Sequence, residues 1–227
     1  MNLFDILGPV MVGPSSSHTA GAVRIGWMTQ KLLGEQPVEA KILMYGSFAA
    51  TGMGHGTDRG LVAGLLGMRP DDERIPNSFE IARKMGLSYS FGIANLTSAH
   101  PNSVVLEVKG KSGRTLEVQA CSLGGGRIMI NRLDGLDVNC SCEIPTLIVH
   151  NLDQPGHVAE VTSMLAHKSV NIANMSLYRD KRGGSAVMVV EMDQPLPKES
   201  LEWLEHLEGI VKVTYINVTE GEEDDVL

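Results

Sequence analysis

Hydrophobic and polar positions follow helical and strand periods along most of this chain. In the stretch 20–33, Val23 and Trp27 lie on one side of a helical projection, and Ile25 and Met28 lie on another. Apolar residues on nearly all sides predict a buried helix rather than a surface one. Further helices are predicted over 61–68, 78–85, 157–168 and 198–207.

Apolar segments predict two groups of strands, one on each side of Pro145, and most strands of the first group alternate apolar with polar residues. The first group covers 38–45, 88–95, 103–109, 114–122 and 127–131, and the second covers 146–151, 171–178, 185–192 and 210–218. With its two helices, the second group reads βαββαβ, the order of a ferredoxin-like sandwich. We therefore predict an α+β protein with domains over 1–143 and 146–219, followed by an acidic tail over 220–227.

Composition narrows the choice of ligand and compartment. The 227 residues carry a net charge of −8, but five of the acidic residues lie in the tail, so the body is close to neutral. This balance argues against nucleic acid and favours a neutral or zwitterionic small ligand. The odd number of cysteines, three, and the absence of a signal peptide or membrane span predict a cytoplasmic protein.

A dense polar loop, GPSSSHT at 13–19, precedes the predicted buried helix. Its hydroxyl groups are natural N-caps, because they accept the free backbone N–H groups of a first helical turn. The same N–H groups and the positive end of the helix dipole also favour a small anion such as a carboxylate. The loop is thus either a polar cap with a surface histidine or part of a binding site.

A second loop, GMGHGTD at 52–58, has a similar arrangement. It places His55 ahead of another apolar helix, and Thr57 or Asp58 is expected to cap that helix. Two histidines in such loops, His18 and His55, favour one shared pocket where imidazole binds ligand or transfers a proton.

The glycine run 124–126 predicts a bulge or a close approach of backbone to ligand. Cys140-Ser141-Cys142 is spaced too tightly for a usual metal site, so no metal is expected on this chain.

The second domain resembles an ACT domain through NLDQPG at 151–156 and SVNIA at 169–173. This resemblance implies an amino-acid effector bound by Asn151, Asp153 and Asn171, although His150 is displaced by one residue from the expected histidine. An exposed edge strand also predicts self-association through this domain. The alternative is an ACT domain that only dimerises.

The first domain resembles the beta subunit of the iron–sulfur L-serine dehydratases through GPSSSHT, GHGTD and SLGGG. It is also similar to the allosteric substrate-binding domain of some phosphoglycerate dehydrogenases. The first resemblance implies conversion of L-serine to pyruvate and ammonia, with a 4Fe–4S cluster acting as Lewis acid on the substrate hydroxyl. Two-chain members carry that cluster on an alpha subunit, which implies an alpha-subunit partner for this chain.

The resemblance also implies residue roles. His18 and His55 would contact substrate or handle protons, with their individual roles left open. The residues expected to bind substrate are Ser15, Ser16, Ser17, Thr19, Gly56, Thr57, Asp58, Gly124 and Gly125. The alternative function is a non-catalytic regulatory module that binds an amino acid.

Overall fold

A computed structural model describes residues 10–52 and 54–217 and divides into two compact units. The first ends at Gly135 and the second begins at Leu136. This division lies before the predicted boundary at residue 143, because the strand Leu136–Cys140 packs on two strands of the second unit. The predicted acidic tail lies outside the described residues. No helix in the described part of the chain is long and apolar enough to cross a membrane.

The first unit begins with a π-helical turn, Ser16–Ala20, that continues directly into a buried α-helix. Its helices are α1 (Gly21–Leu33), α2 (Gly46–Thr51), α3 (Thr57–Leu65) and α4 (Ser78–Met85). Its strands are β1 (Pro37–Met44), β2 (Ser88–Ile93), β3 (Ser103–Gly110), β4 (Thr115–Gly124) and β5 (Arg127–Leu133). The buried helix and these strands were predicted from periodicity, whereas α2 was not.

These strands lie side by side in the order β2-β1-β3-β4-β5, with β1 and β2 parallel and the other pairs antiparallel. Alternate residues of the strands, such as Ile42, Leu106 and Ile130, are buried. Helix α1 packs on β3, β4 and β5, and α3 packs on α1. The loops that precede α1 and α3 are therefore held side by side.

The start of α3 differs from the sequence prediction. The helix begins at Thr57 instead of residue 61, and its N-cap is Gly56, whose φ of 70° lies in the left-handed region that favours glycine. The prediction that Thr57 or Asp58 caps this helix is wrong, since both lie inside its first turn. The apolar pattern missed that turn because its side chains are mostly polar.

The second unit has the predicted βαββαβ order. After a short strand β6 (Leu136–Cys140), its elements are β7 (Thr146–Leu152), α5 (His157–His167), β8 (Ile172–Arg179), β9 (Ser185–Met192), α6 (Lys198–Glu205) and β10 (Ile210–Ile216). The strands form an antiparallel sheet in the order β10-β7-β9-β8. Its core includes Leu147, Val161, Leu165, Met188 and Leu204. The ferredoxin-like prediction is confirmed, and only β6 was missed.

Candidate functional site

The π-helical turn at the start of α1 organises the polar loop. Ser15 is its N-cap: the Ser15 hydroxyl accepts a hydrogen bond from the backbone N–H of His18 at 3.1 Å. The Ser15 carbonyl accepts from the N–H groups of both Thr19 (2.8 Å) and Ala20 (3.2 Å). This wider turn is a rare conformation that is found frequently at functional sites. It directs consecutive side chains of the loop to different neighbours.

His18 lies against helix α2, which follows β1. Its Nε2 atom is 2.9 Å from the hydroxyl oxygen of Ser47. Its ring meets the buried ring of Phe48 edge-on, with 5.5 Å between centroids. These contacts fix the half-buried imidazole in one orientation.

The second histidine contacts the first. The ring centroids of His18 and His55 are 5.2 Å apart, and the rings are inclined by 73°. The buried Thr19 hydroxyl donates a hydrogen bond of 2.9 Å to the backbone carbonyl of His55, which joins the two loops. His55 itself is exposed. The two loops that the sequence paired by their similarity therefore meet at one place.

Burial and the neighbouring imidazole act on His18 in the same direction. Partial burial, and then the charge of His55, lower the pKa of His18 below its ordinary value of 6.5. Folding therefore favours the neutral form of His18. The contribution of this group to the stability of the folded chain is fully present above pH 6.5 and is lost as the pH falls through the lowered pKa. At neutral pH, His18 is able to accept a proton.

Titration of His18 by NMR tests this description. We expect its imidazole resonances to report a pKa below 6.5, and replacement of His55 by alanine to raise that pKa only in part, because burial is the larger cause. A pKa of 6.5 or above in the unmodified chain would contradict the described environment of His18.

The glycine run lies beside the same loop. Gly124, Gly125 and Gly126 all have positive φ, in the connection between β4 and β5, and the pairing of these strands shifts register between Ser122 and Gly124. The N–H of Gly126 donates to the Ser16 carbonyl at 3.3 Å. A side chain on Gly124 would bring its β-carbon to 3.4 Å from the Ser17 hydroxyl. The run therefore combines a bulge with a close approach to the polar loop.

Thr57 and Asp58 have different environments in the first turn of α3. Thr57 is fully buried, and its hydroxyl has no hydrogen-bond partner within the described chain. The Asp58 carboxylate accepts from the N–H of Arg59 at 2.8 Å. No hydrogen bond or ion pair joins Asp58 to either histidine in the described residues. Thr57 is thus the more distinctive of the two predicted residues.

The main residue that sequence reasoning missed is Ser47. It lies on α2, directly after β1, and its backbone N–H donates to the Pro101 carbonyl at 2.7 Å. The only sequence signal was a polar residue that follows the carboxyl end of a strand. Ser122 was also missed: its hydroxyl is buried beside Gly21 and has no hydrogen-bond partner among the described residues.

The three predicted effector residues of the second unit do not meet within one chain. Asn151 and Asp153 lie at the end of β7, where Leu152 pairs with Ser185 at the start of β9. Asn171 precedes β8, where Ile172 pairs with Met192 at the opposite end of β9. At about 3.3 Å per residue, the length of β9 separates the two positions by about 20 Å.

Each effector candidate also has internal partners. The Asp153 carboxylate accepts from the Gly183 N–H at 2.8 Å and from Arg179 at 2.9 Å, and these contacts lower the pKa of Asp153. The Asn171 amide donates to Asp193 at 2.6 Å. Asn151 is buried and donates to the Leu152 carbonyl at 2.6 Å, while its side-chain oxygen has no partner in the described chain.

Two family models match separate parts of the chain. The family model for the serine dehydratase beta chain matches residues 2–86, and the ACT domain model matches residues 145–207. The chain is 40% identical over 215 residues to a probable L-serine dehydratase beta chain of Bacillus subtilis. It is 36% identical over 216 residues to the L-serine dehydratase beta chain of Peptoniphilus asaccharolyticus. Each alignment covers 95% of this chain and 97% of the relative.

A more distant similarity involves a dehydrogenase. The D-3-phosphoglycerate dehydrogenase of Bacillus subtilis is 25% identical over 199 residues, which are 87% of this chain but 37% of that enzyme. The two beta chains match both more closely and over nearly their whole length. The chain therefore belongs to the family of L-serine dehydratase beta chains and contains an ACT domain in its second unit.

Proposed function

We propose that this chain is the beta subunit of an L-serine ammonia-lyase that forms pyruvate and ammonia together with an alpha subunit. The observation that carries the proposal is the contact of His18 and His55 at the start of α1, with the Ser47 hydroxyl in hydrogen-bond contact with His18. A site that only binds a zwitterion does not need two adjoining imidazoles. This favours catalysis over the alternative, a regulatory amino-acid-binding module.

The polar loop is suited to the substrate carboxylate. Ser16 and Ser17 lie in the first turn of the helical segment, where backbone N–H groups and the helix dipole attract an anion. Gly124 and Gly125 add backbone without side chains beside Ser17. We assign carboxylate binding to this end of the loop, with Thr19 holding the two loops together.

His18 is the better candidate for removal of the substrate's α-proton. Its lowered pKa keeps the imidazole neutral at neutral pH, and Ser47 fixes the orientation of its ring. His55, in contact with His18, is placed to bind substrate or pass on a proton. Loss of the α-proton and of the β-hydroxyl as water leaves aminoacrylate, which tautomerises to the imine and hydrolyses to pyruvate and ammonia.

The residues of this chain do not fit a 4Fe–4S cluster. Cys121 lies on β4 in the first unit, whereas Cys140 and Cys142 lie together in the second. No group of three or more His, Cys, Asp or Glu residues within 10–52 and 54–217 is arranged to hold a metal ion. We therefore assign the cluster to the alpha subunit, and the proposal places the two-chain enzyme in the cytoplasm.

For the ACT domain we propose self-association, with an effector bound between two copies. Asp153 and Asn171 lie at opposite ends of β9, so a site that uses both must combine one residue from each copy. The edge strand β8 supports such pairing, since its outer backbone is not used within the sheet order β10-β7-β9-β8. A domain that dimerises without an effector stays the alternative.

Reconstitution tests the main proposal. Each subunit is purified separately, mixed under anaerobic conditions with iron and sulfide, and assayed for pyruvate formed from L-serine. We expect this chain alone and the alpha subunit alone to be inactive, and the mixture to be active. Full activity of the alpha subunit alone would make this chain regulatory and overturn the proposed catalytic role.

A further inference from the structure

Two cysteine side chains outside the proposed active site lie in direct contact. Cys140 ends β6 and Cys142 follows two residues later, with 2.9 Å between their sulfur atoms. Both residues are fully buried, and neither forms a disulfide. Two thiols held this close are arranged for reaction with each other.

The fold, and not only the short spacing, holds the two thiols together. Cys142 has a φ of 51°, in the left-handed region that few residues other than glycine adopt. Between the cysteines, the Ser141 hydroxyl donates to the Glu191 carboxylate on β9 at 2.9 Å and accepts from the Glu143 N–H at 3.3 Å. Glu191 in turn accepts from Asn174 on β8 at 3.0 Å. The bend at the cysteines is thus anchored to the sheet.

A small oxidant has a route to the pair. Residues 141–145 belong to no strand, and Glu143 and Ile144 are exposed beside the buried Cys142. Short irregular segments of this kind open locally at lower free energy than the sheet to which they are attached. Opening of this segment exposes Cys142 without unfolding the domain.

We propose that Cys140 and Cys142 form a redox modification site, in which a peroxide oxidises the two thiols to an intrachain disulfide that dithiols reverse. One thiol loses its proton and its thiolate attacks an oxygen of hydrogen peroxide; the O–O bond breaks, a sulfenic acid forms, and the hydroxide that leaves takes up the released proton as water. The second sulfur attacks the sulfenic sulfur, the S–S bond forms, and the S–O bond breaks with release of a second water. The two thiols lose two electrons and two protons, which the peroxide takes up.

Cys121 provides an internal comparison. It is buried on β4 in the first unit, and burial raises the pKa of its thiol, which leaves less of the reactive thiolate. The pair is just as buried, but Cys121 is the only cysteine among residues 1–135, so no second thiol of its unit is available and it should not form a disulfide under conditions that oxidise the pair. The pair is also independent of the proposed lyase reaction, which uses neither cysteine.

The test measures disulfide formation in the full chain, native and in urea, across a series of reduced and oxidised glutathione ratios. Differential alkylation and mass spectrometry identify which cysteines have reacted. We expect a disulfide between Cys140 and Cys142, with loss of two hydrogens, while Cys121 stays reduced. Because the fold brings the sulfurs together, the equilibrium constant for forming this disulfide with oxidised glutathione should be at least about tenfold larger in the native chain than in the unfolded one.

Hydrogen peroxide should form the same disulfide in the native chain, and a dithiol should reverse it. The Cys121→Ser variant should behave like the unmodified chain, whereas Cys140→Ser and Cys142→Ser should each form no intrachain disulfide. Equal or smaller constants in the native chain would overturn the proposal. Preferential oxidation of Cys121, or stable mixed disulfides with glutathione at the pair, would do so as well.

Discussion

Replacing His18 with alanine should lower kcat of the assembled two-chain enzyme by about 10²–10⁴-fold, the usual loss when a general acid or base is removed. The prediction follows from the contacts of the imidazole with Ser47 and His55 and from its lowered pKa. Alanine removes the only atoms of residue 18 able to exchange a proton at neutral pH. KM for L-serine should change much less, since carboxylate binding is assigned to Ser16 and Ser17.

Glutamine separates proton transfer from positioning. The His18→Gln variant keeps a polar side chain able to bond to Ser47, but it does not take up a proton at neutral pH. If His18 transfers the proton, glutamine should be about as slow as alanine. Recovery of most of the activity in His18→Gln would show that His18 only positions other groups.

A matched control comes from the second unit. His206 is an exposed histidine whose Nδ1 atom lies 2.6 Å from the Glu202 carbonyl oxygen of α6. The His206→Ala variant removes the same side chain outside the proposed site and should keep normal turnover. Size-exclusion chromatography of each variant with the alpha subunit checks that assembly is retained. Normal kcat for an assembled His18→Ala enzyme would refute the role of this histidine.

Much of the architecture follows from local patterns in the sequence. The all-round apolar run before Leu33 predicts a helix buried on several sides, and α1 does pack on both the sheet and α3. The apolar segments after Pro145 predict the elements of the ferredoxin-like unit because its strands and helices bury their apolar side chains in one core. In both cases burial of a continuous apolar surface dictates the pattern.

Features set by tertiary contact did not follow from these patterns. Helix α2 is six residues long and begins at Gly46, so it has too few turns to show a period. Ser47 becomes part of the site only because the Pro101 loop and His18 lie beside it. The separation of Asp153 from Asn171 depends on strand order, which the spacing of residues along the chain does not reveal.

Replacing Gly64 with alanine should destabilise the first unit by about 1–3 kcal/mol, because α1 and α3 cross with their backbones in contact. A β-carbon at Gly64 would overlap the Val23 carbonyl oxygen and lie 2.5 Å from the backbone nitrogen of Trp27. Gly26 faces α3 in the same way, close to the Leu61 carbonyl. Overpacking of this kind typically costs about 1–3 kcal/mol and sometimes more, while the better helix propensity of alanine returns at most about 1 kcal/mol.

Trp27 reports on this crossing, since its own backbone is one of the contacts. The chain has two tryptophans, so the measurement uses a Trp203→Phe background, in which the 45% exposed tryptophan of the second unit is removed. Urea unfolding followed by Trp27 fluorescence should show a lower midpoint for Gly64→Ala. Gly54→Ala is the control: its β-carbon would lie 3.6 Å from the nearest atom, so its effect should stay within about 0.5 kcal/mol. Helix α3 carries Thr57 and follows the His55 loop, so the placement of the two histidine loops depends on the close crossing of α1 and α3. An unchanged urea midpoint in Gly64→Ala would contradict both the close crossing and the rigid placement of these loops.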